Sequence, residues 1–215
     1  LIEIGIPFSD PIAEGPVIQE ANLRSLAQGT TTDKVFELTK KLSGREDTPL
    51  VYMTYLNVLF KYGYDKFLQN AKDAGISGVI VPDLPYEEKD ELQSVAEKYD
   101  IDVISLIAPT SEDRIKMIAS DAKGFIYTVS SMGVTGMRNE IKTDLQSIVS
   151  HIKSVTDVPV AIGFGINKPQ QAKEFSAYAD GVIVGSAIVN IVAEHGKDAP
   201  EYVFDYVKSM KDAIR

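Results

Sequence analysis

The chain contains no cysteine, which excludes a disulfide framework and thiolate chemistry and is compatible with a reducing cytoplasm. It has only two histidines, His151 and His195. Both fall on or near expected helices, so neither joins a metal-ligand cluster or a Ser-His-Asp arrangement. No apolar run approaches the roughly 20 residues needed to cross a bilayer. No signal-peptide pattern is visible, although the chain starts without Met, inside an expected strand. Positive charge is scarce: 22 Lys and Arg face 31 Asp and Glu, for a formal net charge of −9. That balance argues against nucleic acid, whose phosphates would be repelled overall. A small anionic ligand stays open, because backbone N–H groups and helix dipoles hold phosphate without net positive charge.

What is present is an ordinary globular composition, 44% hydrophobic and 25% charged over 215 residues, suited to a single domain spanning 1–215. Short β-rich runs predict strands at 1–6, 50–55, 78–83, 103–108, 124–130, 158–163 and 181–184. Amphipathic helices are expected at 33–42, 65–74, 87–98, 112–120, 144–155, 169–177 and 200–214. Thr32, Ser111 and Pro169 supply start signals. Alternating strands and helices with continuously apolar strands imply parallel pairing under a helical cover. The Gly-rich turn of a dinucleotide-binding sheet is absent after the first strand. The expected fold is therefore a (β/α)8 TIM barrel whose first β/α unit lies outside this sequence.

In such a barrel the active site sits at the C-terminal ends of the strands, with phosphate often held after the last two. Gly163-Phe164-Gly165-Ile166 and Gly185-Ser186-Ala187-Ile188 occupy those positions. Glycines there let backbone N–H groups approach an anion, and the helix starting near Ser186 adds its dipole. The same glycines also serve simple tight turns. "SSMGVTGMRNE" at 130–140 reads as a loop that closes over a ligand, or as a plain connection. Tyr55 and Tyr127 suit core aromatics with satisfied hydroxyls.

The carboxylates carry the sharper signal. Leu1-Ile2-Glu3-Ile4-Gly5-Ile6 sets an acid in the middle of a buried strand. Alternation gives Ile2, Ile4 and Ile6 one face and Glu3 the other. If the isoleucines face the helices, Glu3 points inward. A buried polar group without a partner costs roughly 1–3 kcal/mol or more, so Glu3 has either a partner or a function. An inward carboxyl there has a raised pKa and gives and takes protons near neutrality. Asp10 and Glu14 lie on the neighbouring loop "PFSDPIAEGP", and Asp83 ends a strand, where a turn-capping role is equally suitable. With no lysine inside any expected strand, an internal Schiff base is disfavoured. Acid–base catalysis by carboxylates on a small phosphorylated substrate remains.

"LIEIGIPFSDPIAEGPVIQEAN", "VYMTYLN", "VIVPDLP", "GFIYTVSSMGVTG", "GFGINKP" and "ADGVIVGSAIV" resemble the tryptophan synthase α subunit family, in the family's order and over nearly the whole chain. The resemblance implies a lyase of tryptophan biosynthesis. Indole-3-glycerol phosphate is cleaved to indole and glyceraldehyde 3-phosphate in a retro-aldol reaction. It further implies that Glu3 is the general acid/base, that Tyr55 lines the indole pocket, and that Tyr127 neighbours the substrate. Thr135 then helps organise the acidic site, and Gly136, Gly165, Gly185 and Ser186 bind the phosphate. Glu14 matches a family aspartate that stabilises the indolenine cation, so its carboxyl stands one methylene further out. Misplacement by about 1 Å costs on the order of 100-fold in rate, unless the loop compensates.

The family implies an α2β2 complex with a pyridoxal-phosphate-dependent β subunit, the cofactor belonging to that partner and none to this chain. Asp10, Pro11, Asn22, Asn57 and Asp83 match positions at or near the shared surface. Neither nucleic acid nor membrane is expected as a partner, and the location implied is cytoplasmic. Two alternatives differ in class. One is another phosphate-binding barrel, such as a sugar-phosphate epimerase, for which the strand-end histidines are missing. The other is a weakly active or inactive barrel that mainly binds and activates the β subunit.

Overall fold

A computed structural model describes residues 1–43, 47–129, 144–163 and 165–214. In chain order its elements are β1 (Ile2–Gly5), α1 (Pro16–Ala27), α2 (Thr32–Leu42), β2 (Leu50–Met53), α3 (Leu56–Tyr62), α4 (Tyr64–Asp73) and β3 (Ile76–Ile80). Then follow α5 (Lys89–Ala96), β4 (Asp102–Val103), β5 (Ser105–Ile107), α6 (Glu112–Ser120), β6 (Ile126–Val129) and α7 (Leu145–Lys153). The last are β7 (Val160–Gly163), α8 (Pro169–Phe175), β8 (Gly181–Val182), α9 (Ser186–His195) and α10 (Ala199–Ala213).

The elements group into two compact units, one of Leu1–Ile12 with Asn22–Ser105 and one of Ala13–Ala21 with Leu106–Arg215. The first unit carries a parallel sheet in the order β1-β2-β3-β4. Its buried core joins Ile6, Leu50, Tyr52, Ile76, Val79 and Val81 of the strand segments to Val35, Phe36, Leu59, Phe67, Leu68 and Leu92 of the helices. Phe36, Tyr52, Tyr62 and Phe67 meet edge to face, with centroids 5.3 to 6.2 Å apart, the arrangement aromatic quadrupoles favour. Ile4 packs against this core and Ile6 is buried in it. Ile2, by contrast, is exposed, so the expectation that all three isoleucines face the helices holds for two.

The second unit carries the sheet β5-β6-β7-β8, with β6, β7 and β8 parallel. The single strand expected at 103–108 is divided, its first part in one sheet and its second in the other. Ile104 lies between them, its N–H donating to Val79 O at 2.9 Å. Capping accounts for several helix starts. The Thr31 hydroxyl accepts from Lys34 N–H, Ser111 from Arg114 N–H, and Asp144 from Ser147 N–H. The first cap is thus Thr31 and not Thr32, which is already helical. Pro169 opens α8 as expected, where its missing N–H is harmless. No helix of the described residues is long and apolar enough to cross a membrane.

Candidate active site

Parallel pairing in the first sheet sets Glu3 opposite Val51, Val51 opposite Gly78 and Gly78 opposite Asp102. Val51 is buried, and a Cβ on Gly78 would meet the Val51 and Ile104 side chains at 3.3 Å. Glu3 therefore shares a row with Val51, Gly78 and a second acid, Asp102. The Oε1 of Glu3 is enclosed and finds no hydrogen-bond partner among the described residues. Burial pushes its carboxyl up from 4.5 to about 7, because desolvation penalises the ionised form. A carboxyl so placed exists in both protonation states near neutral pH, as proton transfer in two directions requires.

The loop after β1 is fastened by Tyr55, which is only 2% exposed. Its hydroxyl accepts from Ile12 N–H at 3.1 Å, and its ring lies 5.3 Å from that of Phe8. Immediately after Tyr55, Leu56 N–H donates to Asp83 Oδ1 at 2.8 Å. Asp83 so takes the capping role at the start of α3, and lies beyond β3 rather than at its end. Asp10 is exposed and accepts from the Ser9 hydroxyl. Pro11 and Asn22 are half-buried, and Asn57 is exposed on α3.

In the second unit, Glu14 is buried, at 8% exposure. Its carbonyl accepts from Gln19 Nε2 at 2.7 Å, while Gly15 O receives the first amides of α1. The register Thr128–Ile162–Val182 brings the C-terminal ends of β6, β7 and β8 to one sheet edge. Tyr127, 4% exposed, shares a sheet face with Ala161, Gly163 and Gly181. A Cβ on Gly163 would fall 2.5 Å from the Tyr127 ring and hydroxyl, so only glycine fits beneath this tyrosine. Sequence reasoning ended the strand at Gly163, read it into the glycine turn and missed this contact, whose signal is a glycine at a strand end beside an aromatic-bearing strand.

Past the same edge lie the two glycine turns. Gly165 adopts φ +94°, a conformation that favours glycine. Gly185 caps α9, has open space where a Cβ would stand, and is followed by Ser186 as the first helical residue. The ten-residue α9 begins there, and the first amides of a helix lack intrahelical partners and lie at the positive end of its dipole. Thr135, Gly136 and the rest of the 130–140 loop lie outside the described residues. Among the described residues no group of three His, Asp or Glu side chains is disposed to hold a metal.

One further carboxylate belongs to the sheet rather than to the mouth. Asp180 Oδ2 accepts from Val160 N–H and Oδ1 from Lys153 Nζ, both at 2.9 Å. Burial alone would raise its carboxyl, but those bonds and the Lys153 charge outweigh burial and hold it below the usual range.

The family model described as tryptophan synthase alpha chain matches residues 1–215. The tryptophan synthase alpha chain of Lacticaseibacillus casei is 50% identical over 214 residues, covering 100% of this chain and 80% of that one. Tryptophan synthase subunit alpha from Campylobacter jejuni is 38% identical with a TM-score of 0.84, over 97% of this chain and 82% of that one. A chain from the Pyrococcus furiosus tryptophan synthase α2β2 complex is 35% identical with a TM-score of 0.88, over 98% and 85% of the two chains. The fold class of these relatives is the (β/α)8 TIM barrel, in agreement with the alternation of parallel strands and helices described above.

Proposed function

The chain belongs to the tryptophan synthase alpha chain family, and from that premise we propose that it cleaves indole-3-glycerol phosphate to indole and glyceraldehyde 3-phosphate. The observation that carries the assignment of chemistry is Glu3: a carboxyl with one enclosed oxygen, Oε1, that has no hydrogen-bond partner among the described residues, poised at about 7. Protonated Glu3 gives its proton to C3 of the indole ring, leaving a cationic indolenine. The glycerol hydroxyl next to C3 then loses its proton to the Glu3 carboxylate. Its oxygen closes to an aldehyde, the bond from C3 to that carbon breaks, and the bonding pair returns to the ring. One proton is given and one taken, so no water, metal or Schiff base enters the balance.

Glu14 stabilises the positive ring nitrogen through its N–H, across one methylene more than the family's aspartate. Tyr127 and Tyr55 flank the indole. The phosphate rests on the turns at Gly165 and Gly185-Ser186, with Gly136 completing its shell and Thr135 organising the acidic site. The dipole of α9 favours the dianion there. Asp10, Pro11, Asn22, Asn57 and Asp83 face a β subunit in an α2β2 complex like that of the Pyrococcus furiosus relative. Pyridoxal phosphate belongs to that partner, this chain holds no cofactor, and the complex works in the cytoplasm as one barrel domain per α chain.

The test is release of glyceraldehyde 3-phosphate from indole-3-glycerol phosphate, with and without a β subunit, by wild type, Glu3→Gln and Glu14→Asp. Wild type is expected to cleave, Glu3→Gln to lose cleavage, and Glu14→Asp to run faster. A folded wild type that binds substrate yet never cleaves it, even with the partner, would overturn the reading.

A further inference from the structure

Residues 165–168, ahead of α8, belong to the turn that the reading above assigns to phosphate, and several of their fastenings can be followed bond by bond. Asn167 Nδ2 donates to Gly165 O at 2.9 Å. Asn167 N–H and Lys168 N–H both donate to Gln171 Oε1, at 3.0 and 3.1 Å. These bonds span four residues or fewer and fix the local shape of the turn. A fourth arrives from a distant part of the sequence: the Tyr206 hydroxyl on α10 donates to Asn167 O at 2.9 Å across 39 residues. The carbonyl oxygens of Gly165 and Asn167 are in this way held on donors, and a carbonyl so held is not free to turn toward an approaching anion. Tyr206 is half-buried, and burial raises its phenol above the ordinary value, so it stays a neutral donor across the working pH range.

We infer that Tyr206 is a positioning residue for phosphate binding, acting through the Asn167 carbonyl to hold the turn after β7 in its anion-accepting shape. The inference rests on the phosphate reading given above for that turn. Tyr206 touches neither the reacting carbons nor the proton-transferring carboxyl in that reading, so its effect falls on substrate affinity. One neutral hydrogen bond contributes roughly 0.5–1.5 kcal/mol, which corresponds to about a 2- to 12-fold change in a binding constant.

The experiment uses the full chain with its β subunit and compares wild type, Tyr206→Phe and Tyr202→Phe. Tyr202 lies on the same helix, exposed and stacked on His195, and serves as the control. Inorganic phosphate is titrated by calorimetry, and kcat and KM for indole-3-glycerol phosphate are read separately. Tyr206→Phe keeps the ring and removes the hydroxyl, and is expected to raise both the phosphate Kd and the KM about 2- to 12-fold. Its kcat should stay within about twofold by the same reasoning, and Tyr202→Phe should change neither constant. Amide shifts of residues 165–168 on phosphate addition give a second readout, expected to shrink in Tyr206→Phe at equal phosphate. If Tyr206→Phe lowers only the Tm and leaves the phosphate Kd unchanged, the residue is structural and the inference fails alone. If wild type itself binds no phosphate, the phosphate reading of the turn fails, and the inference goes with it.

Discussion

Glu3 and Asp180 are both acidic residues beside a parallel strand, one in each compact unit, and their surroundings drive them in opposite directions. Glu3 stands next to Val51 with one oxygen enclosed and no partner among the described residues, and is pushed up to about 7. Asp180 is exposed, and although the little desolvation it has would raise its carboxyl, a backbone N–H and a lysine ammonium hold it below the usual carboxylate range. The difference lies in what surrounds the carboxyl, since the charge is the same. A paired carboxylate fixes geometry, here β8 to β7 and α7. An unpaired, desolvated one is held in an environment that costs stability, and it gains the ability to exchange protons at working pH.

The largest expected effect separates the two by rate. Glu3→Gln should lower kcat by about 10²–10⁴, the range for loss of a general acid/base. Asp180→Ala should leave kcat within a few-fold, since it acts on strand placement alone. Equal losses in the two variants, measured in the same steady-state assay, would erase the distinction.

Stability against pH gives the next effect, with opposite signs. In the folded state Glu3 binds its proton more tightly than in the unfolded chain, where the ordinary value near 4.5 applies. Between pH 4.5 and about 7 the folded state therefore holds more protons, and stability contributed by this group declines as pH rises. Above that window the penalty amounts to about 3 kcal/mol. Denaturant unfolding of Glu3→Gln relative to wild type should show the variant gaining stability from pH 5 to pH 8, even as it loses activity. Asp180 has the reverse sign: its contribution is present above the unfolded value and is lost as pH falls through the depressed folded one.

The smallest effect is Asp180→Ala, which removes one charge-assisted bond to Val160 N–H and one exposed ion pair. It should lower unfolding stability by about 1–3 kcal/mol, mainly through the unsatisfied amide, with little change between pH 6 and 8. A loss that grew over that range would place a titration at Asp180 where its pairing forbids one.

The sequence reading of this contrast was uneven for physical reasons. Helix α6 was legible to the residue, because Ser111 caps it and two acids fill its first turn. β3 begins two residues earlier than expected, since Gly75, at φ +82°, ends the preceding helix and leads straight into Ile76. Helices α1 and α3 went unread: α1 has no buried residue to give it a periodic apolar face, and α3 has only seven residues. Glu3 could be singled out because a charge in a run of isoleucines is a local anomaly. Asp180 could not, because its partners Val160 and Lys153 come from distant positions in the chain. The same holds for Tyr206, which finds Asn167 only once α10 is folded. Glu14 was legible as a departure from the family pattern, whereas its burial shows only in the fold.

The most direct test of the account is the titration of Glu3 itself. Carboxyl ¹³C shifts would be followed from pH 4 to pH 9 in protein labelled at glutamate, with Glu3→Gln identifying the signal. The account predicts a midpoint at about 7. A midpoint near the ordinary 4.5 would mean that Glu3 is solvated or paired, and would contradict its role as the proton-exchanging group.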